Sequence, residues 1–373
     1  MTAGDRYIVG LSCGDAGTHA VLAAVSGSGE AMAVRQVRHE FTAFEPRLGE
    51  AYAAAASGRP VGAAAIALLD RDASAAMAAA AEALLKHARV ARRRLAAVGL
   101  ADAVLARPEG GRCRIGTPAT VAQRARLPVV SDFAAGDLAA GGRGGPVAAW
   151  AHWLLFRDSA RTRVVVDLGR VASLTFLPTG AAAADVVAFD TGPGTAVIDA
   201  LAADLLGEPF DRDGAVADRG RVDHELLAAL LNDTYFHRRP PKLTSRHAWS
   251  GPFTQRLIAA AASRGLTTAD MISTATELTV RSVAQAVAAM TENPHDVLLC
   301  GGGTRNITLA MRLRSALTPA STVPVQRLDF DATALDAVAA AILAAARLDR
   351  VPTNIPQTTG AARPALCGSL TEP

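Results

Sequence analysis

One phrase occurs twice in this chain and restricts its fold more than any other feature. Tyr7–Cys13 is an apolar, β-branched run that meets the turn Gly14-Asp15-Ala16-Gly17-Thr18 and resumes as Ala20–Val25. In mid-chain, Arg163–Gly169 and Val171–Leu177 repeat the pattern, and Val186–Phe189 adds a third strand. Apolar runs joined by a tight glycine turn are hairpins. The remaining segments carry helical periodicity, so strands and helices alternate in two halves. That pattern predicts an α/β protein of two similar lobes around a cleft. At 373 residues the chain also exceeds a single ordinary core. The expected lobes are 1–157, completed by 335–373, and 158–334.

Leu48–Leu100 reads as two helices parted by Gly58-Arg59-Pro60, closing on a strand start at Val98–Leu100. Pro128–Ser131 is extended, and a helix or ordered turn covers Val147–Phe156. Further helices are expected at Ala196–Leu206, through most of 221–290 around a Pro-basic loop at 238–246, from Asn306 to Leu317, and at Leu335–Leu348. Asp296–Cys300 reads as a strand, and the tail from Pro352 shows no helical pattern.

Composition excludes several classes of function. A net charge of +3, from 38 basic and 35 acidic residues spread along the chain, supplies no phosphate-tracking surface, so nucleic acid is not an expected partner. No apolar run is long enough to span a membrane, and Met1–Arg6 lacks a secretory pattern, so the expected location is cytoplasmic. The four cysteines and eight histidines show no metal-ligand spacing. Arginine carries nearly all the positive charge, and Lys86 and Lys242 are the only lysines.

Three glycine turns lie at strand ends, Gly14–Thr18, Gly192–Gly194 and Gly301–Gly303. Such turns let backbone amides approach a phosphate, while each alone is equally a plain turn or a packing contact. Asp190 is read as ending an apolar strand beside a helix start. There it either deprotonates a water or hydroxyl, or caps the helix.

At this point a family resemblance becomes visible. Ala188-Phe189-Asp190-Thr191-Gly192-Pro193-Gly194, Asp199, Asp211–Ala215 and Gly220 resemble the anhydro-N-acetylmuramic acid kinase family. So do Pro241-Lys242 with Thr244 and Arg246, Cys300–Gly303 with Asn306, and Asn354-Ile355-Pro356 with Thr359-Gly360-Ala361. Upstream, Ile115–Ala119, Asp132-Phe133, Asp137, Ala139–Pro146 and His152 match in order and spacing. The resemblance implies an actin/hexokinase/Hsp70-like (ASKHA) fold with a duplicated mixed sheet flanked by helices, and a homodimer. It implies ATP and Mg²⁺ as cofactors and a small sugar or polyol as substrate, in peptidoglycan recycling and amino sugar metabolism. Family members open a 1,6-anhydro ring by hydrolysis and phosphorylate O6. Asp190 takes the general-base role. Gly14, Asp15, Gly17, Thr18, Gly169, Arg170, Gly192, Gly194, Gly301, Gly302 and Gly303 fall to the nucleotide. Asp132, Asp137, Lys242, Arg246 and Asp336 fall to the substrate.

Several positions depart from the family pattern. Its opening Gly-x-x-Ser-Gly-Thr-Ser-x-Asp-Gly is here Gly10-Leu11-Ser12-Cys13-Gly14-Asp15-Ala16-Gly17-Thr18-His19, a loop either rebuilt or decayed. Its Ser-His-Gly-Gln-Thr segment falls near Ala101–Ala106, and its Asn-Ile-Gly-Gly is Asp167-Leu168-Gly169-Arg170. Arg170 either crowds a nucleotide or offers it a guanidinium. The alternative to a kinase is a homologue that reuses the site without ATP, as a biosynthetic enzyme or a binding or regulatory protein.

Overall fold

The computed structural model describes residues 5–57, 60–101, 103–106 and 112–373, which fall into two compact units. The first comprises Met1–Arg157, Ala181–Val186 and Gln326–Pro373; the second comprises Asp158–Gly180 and Val187–Val325.

In the first unit, β1 (Arg6–Gly14), β2 (Gly17–Ser26) and β3 (Ala33–Ala43) form an antiparallel meander. β4 (Leu95–Leu100) lies parallel to β1, a small hairpin joins β5 (Ala103–Ala106) to β6 (Cys113–Ile115), and β7 (Val129–Ser131) lies parallel to β4. The sheet order is therefore β3-β2-β1-β4-β7, with the C-terminal strand Ser369–Thr371 added antiparallel outside β7. Alternation along β1 sends Tyr7, Val9 and Leu11 into one apolar layer with Leu69, Met77 and Leu84 of the helix Ala63–His87. The opposite face takes the helix Leu335–Leu348. A Cβ at Gly10 would stand 1.8 Å from the Ala337 carbonyl oxygen, and one at Gly99 2.1 Å from that of Ala340. These two glycines exist so that helix and strands can touch backbone to backbone.

In the second unit, β8 (Arg163–Leu168), β9 (Ala172–Leu177) and β10 (Val187–Gly192) form the meander. β11 (Asp296–Cys300) and β12 (Ser321–Pro324) follow in parallel, giving β10-β9-β8-β11-β12. Val164, Val166 and Leu168 share one apolar layer with Val280 and Val283 of the helix Thr268–Met290 and with Leu309 and Leu313 of the helix Ile307–Ala316. Both units thus carry the same strand order and the same directions. This is the duplicated mixed sheet, flanked by helices, of the actin/hexokinase/Hsp70-like class. Among the described residues no helix is long and apolar enough to cross a membrane.

Four local expectations need correction. Val98–Leu100 ends β4 rather than starting it, because the strand begins in the Ala- and Arg-rich stretch at Leu95, whose composition imitates helix. β3 is absent from the sequence reading: as a sheet edge it carries exposed Arg35 and Arg38 and half-buried Glu40, with little apolar signal. The tail holds a helical turn at Pro356–Thr359 as well as its edge strand. β10 does not stop at Asp190 but runs to Gly192 through an irregularity between those two residues. Gly58, Arg59 and Asp102, used in the sequence reading, lie outside the described residues.

Candidate active site

Asp190 sits two residues before the end of β10, opposite Ser173 of β9, and is 9% exposed. The helix that follows begins at Ala196 with Thr195 as its N-cap, so capping is not the job of Asp190. Its Oδ2 accepts the amide hydrogen of Thr244 at 2.8 Å, and its own amide donates to the Lys242 carbonyl at 3.2 Å. The Pro-basic loop thereby lies as an extra strand-like rung beside the end of β10.

Lys242 is also 9% exposed, with its ammonium over the ring faces of Tyr235, at 4.8 Å, and Phe189, at 5.5 Å. The ammonium donates a long hydrogen bond, 3.4 Å, to the Tyr235 carbonyl. Burial holds this ammonium below the usual lysine range, the charge of Asp190 opposes that shift, and Arg238 adds to it. The aromatic faces supply part of the solvation that water would otherwise give. Arg246 opens the short helix Arg246–Trp249 and is half-buried.

The strand-end glycines divide by what surrounds them. Gly194 has φ +47°, and a Cβ there would stand 2.2 Å from the Gly169 carbonyl oxygen. Gly192 packs against Phe236 and Ser282; Gly301 and Gly303 pack against Leu168. Gly194, Gly301 and Gly303 let backbone segments approach one another, and Gly192 makes room for side chains. Gly302 differs, since nothing lies within 4 Å of where its Cβ would be. The adjoining turn at Gly169-Arg170 accepts the amides of Thr195 and Ala196 at 3.0 and 3.1 Å, using donors that a helix N-terminus could have shown to an anion. The Arg170 guanidinium pairs with Asp199, which also accepts the Thr195 hydroxyl at 2.7 Å.

The first unit holds the other expected residues. Gly14 and Ala16 are exposed at the hairpin turn and Asp15 is half-buried. Thr18 is fully buried opposite Cys13, whose thiol burial pushes up to about 12. Gly17 is closed in by the backbone of β3. Of this loop, then, Gly14 and Asp15 reach the surface, whereas Thr18 and Gly17 form the hairpin.

Asp132, at φ +58°, is ion-paired with Arg112 and Arg114. Asp137 is 1% exposed and accepts from Gly144 N at 2.8 Å, Asn354 Nδ2 at 3.0 Å and Thr359 Oγ1 at 2.5 Å. Three donors converge on this carboxylate and tie the glycine-rich loop to the C-terminal tail. Asp336 is exposed in the first turn of Leu335–Leu348.

Sequence reasoning missed Tyr235. It is 6% exposed, and its hydroxyl donates to the Asp190 carbonyl at 2.7 Å. Burial and the charge of Asp190 both push its phenol above the usual tyrosine range. The available signal was compositional: it is one of three tyrosines, paired with Phe236 just before the basic loop.

With this geometry in view, the comparisons with known proteins are informative. The chain is 42% identical over 263 residues to an anhydro-N-acetylmuramic acid kinase of Salinibacter ruber, covering 70% of this chain and 66% of that protein. It is 35% identical over 371 residues to that of Gloeobacter violaceus, covering 97% of each. Among solved structures, an activator of 2-hydroxyisocaproyl-CoA dehydratase from Clostridium difficile matches at 12% identity with a TM-score of 0.48, over 92% of this chain and 96% of that one. The family model for anhydro-N-acetylmuramic acid kinase matches residues 6–373, and the chain belongs to that family.

Proposed function

We propose that this protein is a sugar kinase that consumes ATP, opens a 1,6-anhydro amino sugar with water and phosphorylates the O6 so released. The observation that carries the reading is Asp190: a carboxylate at a sheet end, nine-tenths buried, fixed at one oxygen by the Thr244 amide, with the Lys242 ammonium nearby. A general base needs this combination of fixed aim and restricted solvent. Asp190 takes a proton from the water that bonds to the anomeric carbon. The bond from that carbon to O6 breaks, and O6 bonds to the γ-phosphorus as ADP leaves.

ATP supplies the phosphoryl group when bound. Gly302, open at its Cβ position, fits a close approach of phosphate, and Arg170 of the same unit supplies a guanidinium for it. Mg²⁺ belongs to the proposal as the nucleotide's companion, an ion usually held by phosphate oxygens and water with one or two carboxylates. Among the described residues no three His, Cys, Asp or Glu side chains group as a metal cage of their own. Lys242 and Arg246 are assigned to anionic parts of the substrates.

The test is Asp190→Asn assayed with ATP, Mg²⁺ and 1,6-anhydro-N-acetylmuramic acid, following ADP release, with titration calorimetry for binding. Turnover is expected to fall by about 10²–10⁴-fold with both ligands still bound. Undiminished turnover would refute the general base, and a wild-type chain that binds no ATP would turn the reading to the ATP-independent alternative.

A further inference from the structure

We infer that Tyr235 is a positioning residue that sets the aim of Asp190, an inference that rests on the general-base reading above. The carboxylate accepts from the Thr244 amide, and its aim depends equally on the main chain that carries it. β10 is irregular between Asp190 and Gly192, which removes part of the ladder that would fix the backbone there. On the side of the basic loop, where the Asp190 amide already meets the Lys242 carbonyl, the Tyr235 hydroxyl donates to the Asp190 carbonyl at 2.7 Å. Main chain and side chain of Asp190 are thus each fixed by a separate donor.

Tyr235 can do this because it is itself held. Its ring meets Trp249 edge-on at 5.3 Å and Phe236 edge-on at 6.1 Å, and Phe236 in turn lies against Gly192. Its face and carbonyl carry the Lys242 ammonium. Phenylalanine would fill the same space and carry the same ammonium, so the hydroxyl is the part of the residue that packing does not require. One side chain therefore sets both charged groups of the site, through different atoms.

The experiment compares wild type, Asp190→Asn and Tyr235→Phe in the full chain, with ATP, Mg²⁺ and 1,6-anhydro-N-acetylmuramic acid. Tyr235→Phe is expected to lower kcat by about 10- to 100-fold, the scale of a small misplacement of a reacting group. KM for each substrate should stay within about twofold, and the acid limb of the kcat–pH profile should not move, because the phenol meets the main chain and not the carboxylate. A purely structural residue would lower the folded fraction and leave kcat per folded molecule unchanged. Wild-type kcat in Tyr235→Phe beside an inactive Asp190→Asn overturns the positioning role alone, as does a loss carried entirely by KM. Wild-type turnover in Asp190→Asn, or none in the wild type, overturns the general-base reading and this inference with it.

Discussion

The Arg170 guanidinium and the Asp199 carboxylate form an ion pair, Nη1 to Oδ2 at 2.9 Å, across the turn that precedes β9 and the helix Ala196–Leu206. Asp199 is 8% exposed, while the arginine side chain is about one-third exposed. The pair therefore anchors a partly exposed cation at this turn.

Replacing Arg170 by glycine restores the residue expected from the family pattern but leaves Asp199 with an unbalanced charge. Stability should fall by about 1–2 kcal/mol, measured by urea unfolding. If the guanidinium contacts phosphate, calorimetry should show ATP·Mg binding weakened by about 10- to 100-fold. Tighter binding in the variant would mean that Arg170 crowds the nucleotide.

Two glycine-to-alanine changes should separate packing from ligand approach. Gly10→Ala sets a methyl group 1.8 Å from the Ala337 carbonyl oxygen, and relief requires moving a buried helix. A loss of about 3 kcal/mol or more is expected, visible as a lowered melting temperature or loss of soluble protein. Gly302→Ala meets nothing within 4 Å, so its melting temperature should match wild type. Its affinity for ATP·Mg should nevertheless drop about tenfold or more, and unchanged affinity would remove Gly302 from the nucleotide site.

Asp137→Asn keeps the shape but turns one acceptor into a donor facing Gly144 N or the Asn354 and Thr359 donors. At a site 1% exposed no water can substitute, and a loss of about 2–3 kcal/mol is expected in urea unfolding. A neutral result would show that the loop and tail hold together without the charge.

Acid sensitivity should arise in part from His152, which is 3% exposed and whose imidazole burial lowers to about 4 from the ordinary 6.5. Between those values the unfolded chain binds the proton that the folded chain refuses, so stability rises with pH across this window and is lost as pH falls through it. The full effect below pH 4 is about 3 kcal/mol. Unfolding free energies of His152→Gln between pH 4 and 7 should show a correspondingly shallower slope.

The duplicated hairpins, the helices Ala196–Leu206 and Leu335–Leu348 and the strand Asp296–Cys300 were legible because their apolar periods match their environments. β3 was not, since an edge strand is written in polar residues. In the candidate site, Asp190 and Lys242 were legible by residue type and resemblance, and the structure brings them together around Tyr235. The burial of Asp137 and Thr18 could not be read, because a carboxylate or hydroxyl looks the same in sequence whether it is exposed or enclosed. Tyr235 escaped for a related reason: it acts through a hydroxyl bonded to main chain, which leaves no motif.

The helix Leu335–Leu348 covers a sheet whose first strand is Arg6–Gly14, and the last strand of that sheet is Ser369–Thr371. During synthesis the first unit therefore waits with one apolar face uncovered until Leu335–Leu348 has been made. The second unit has all its residues by Val325. Although domains commonly fold in the order they leave the ribosome, here the part begun first is finished last. Exposed β1 and β2 are what a chaperone would meet on the nascent chain.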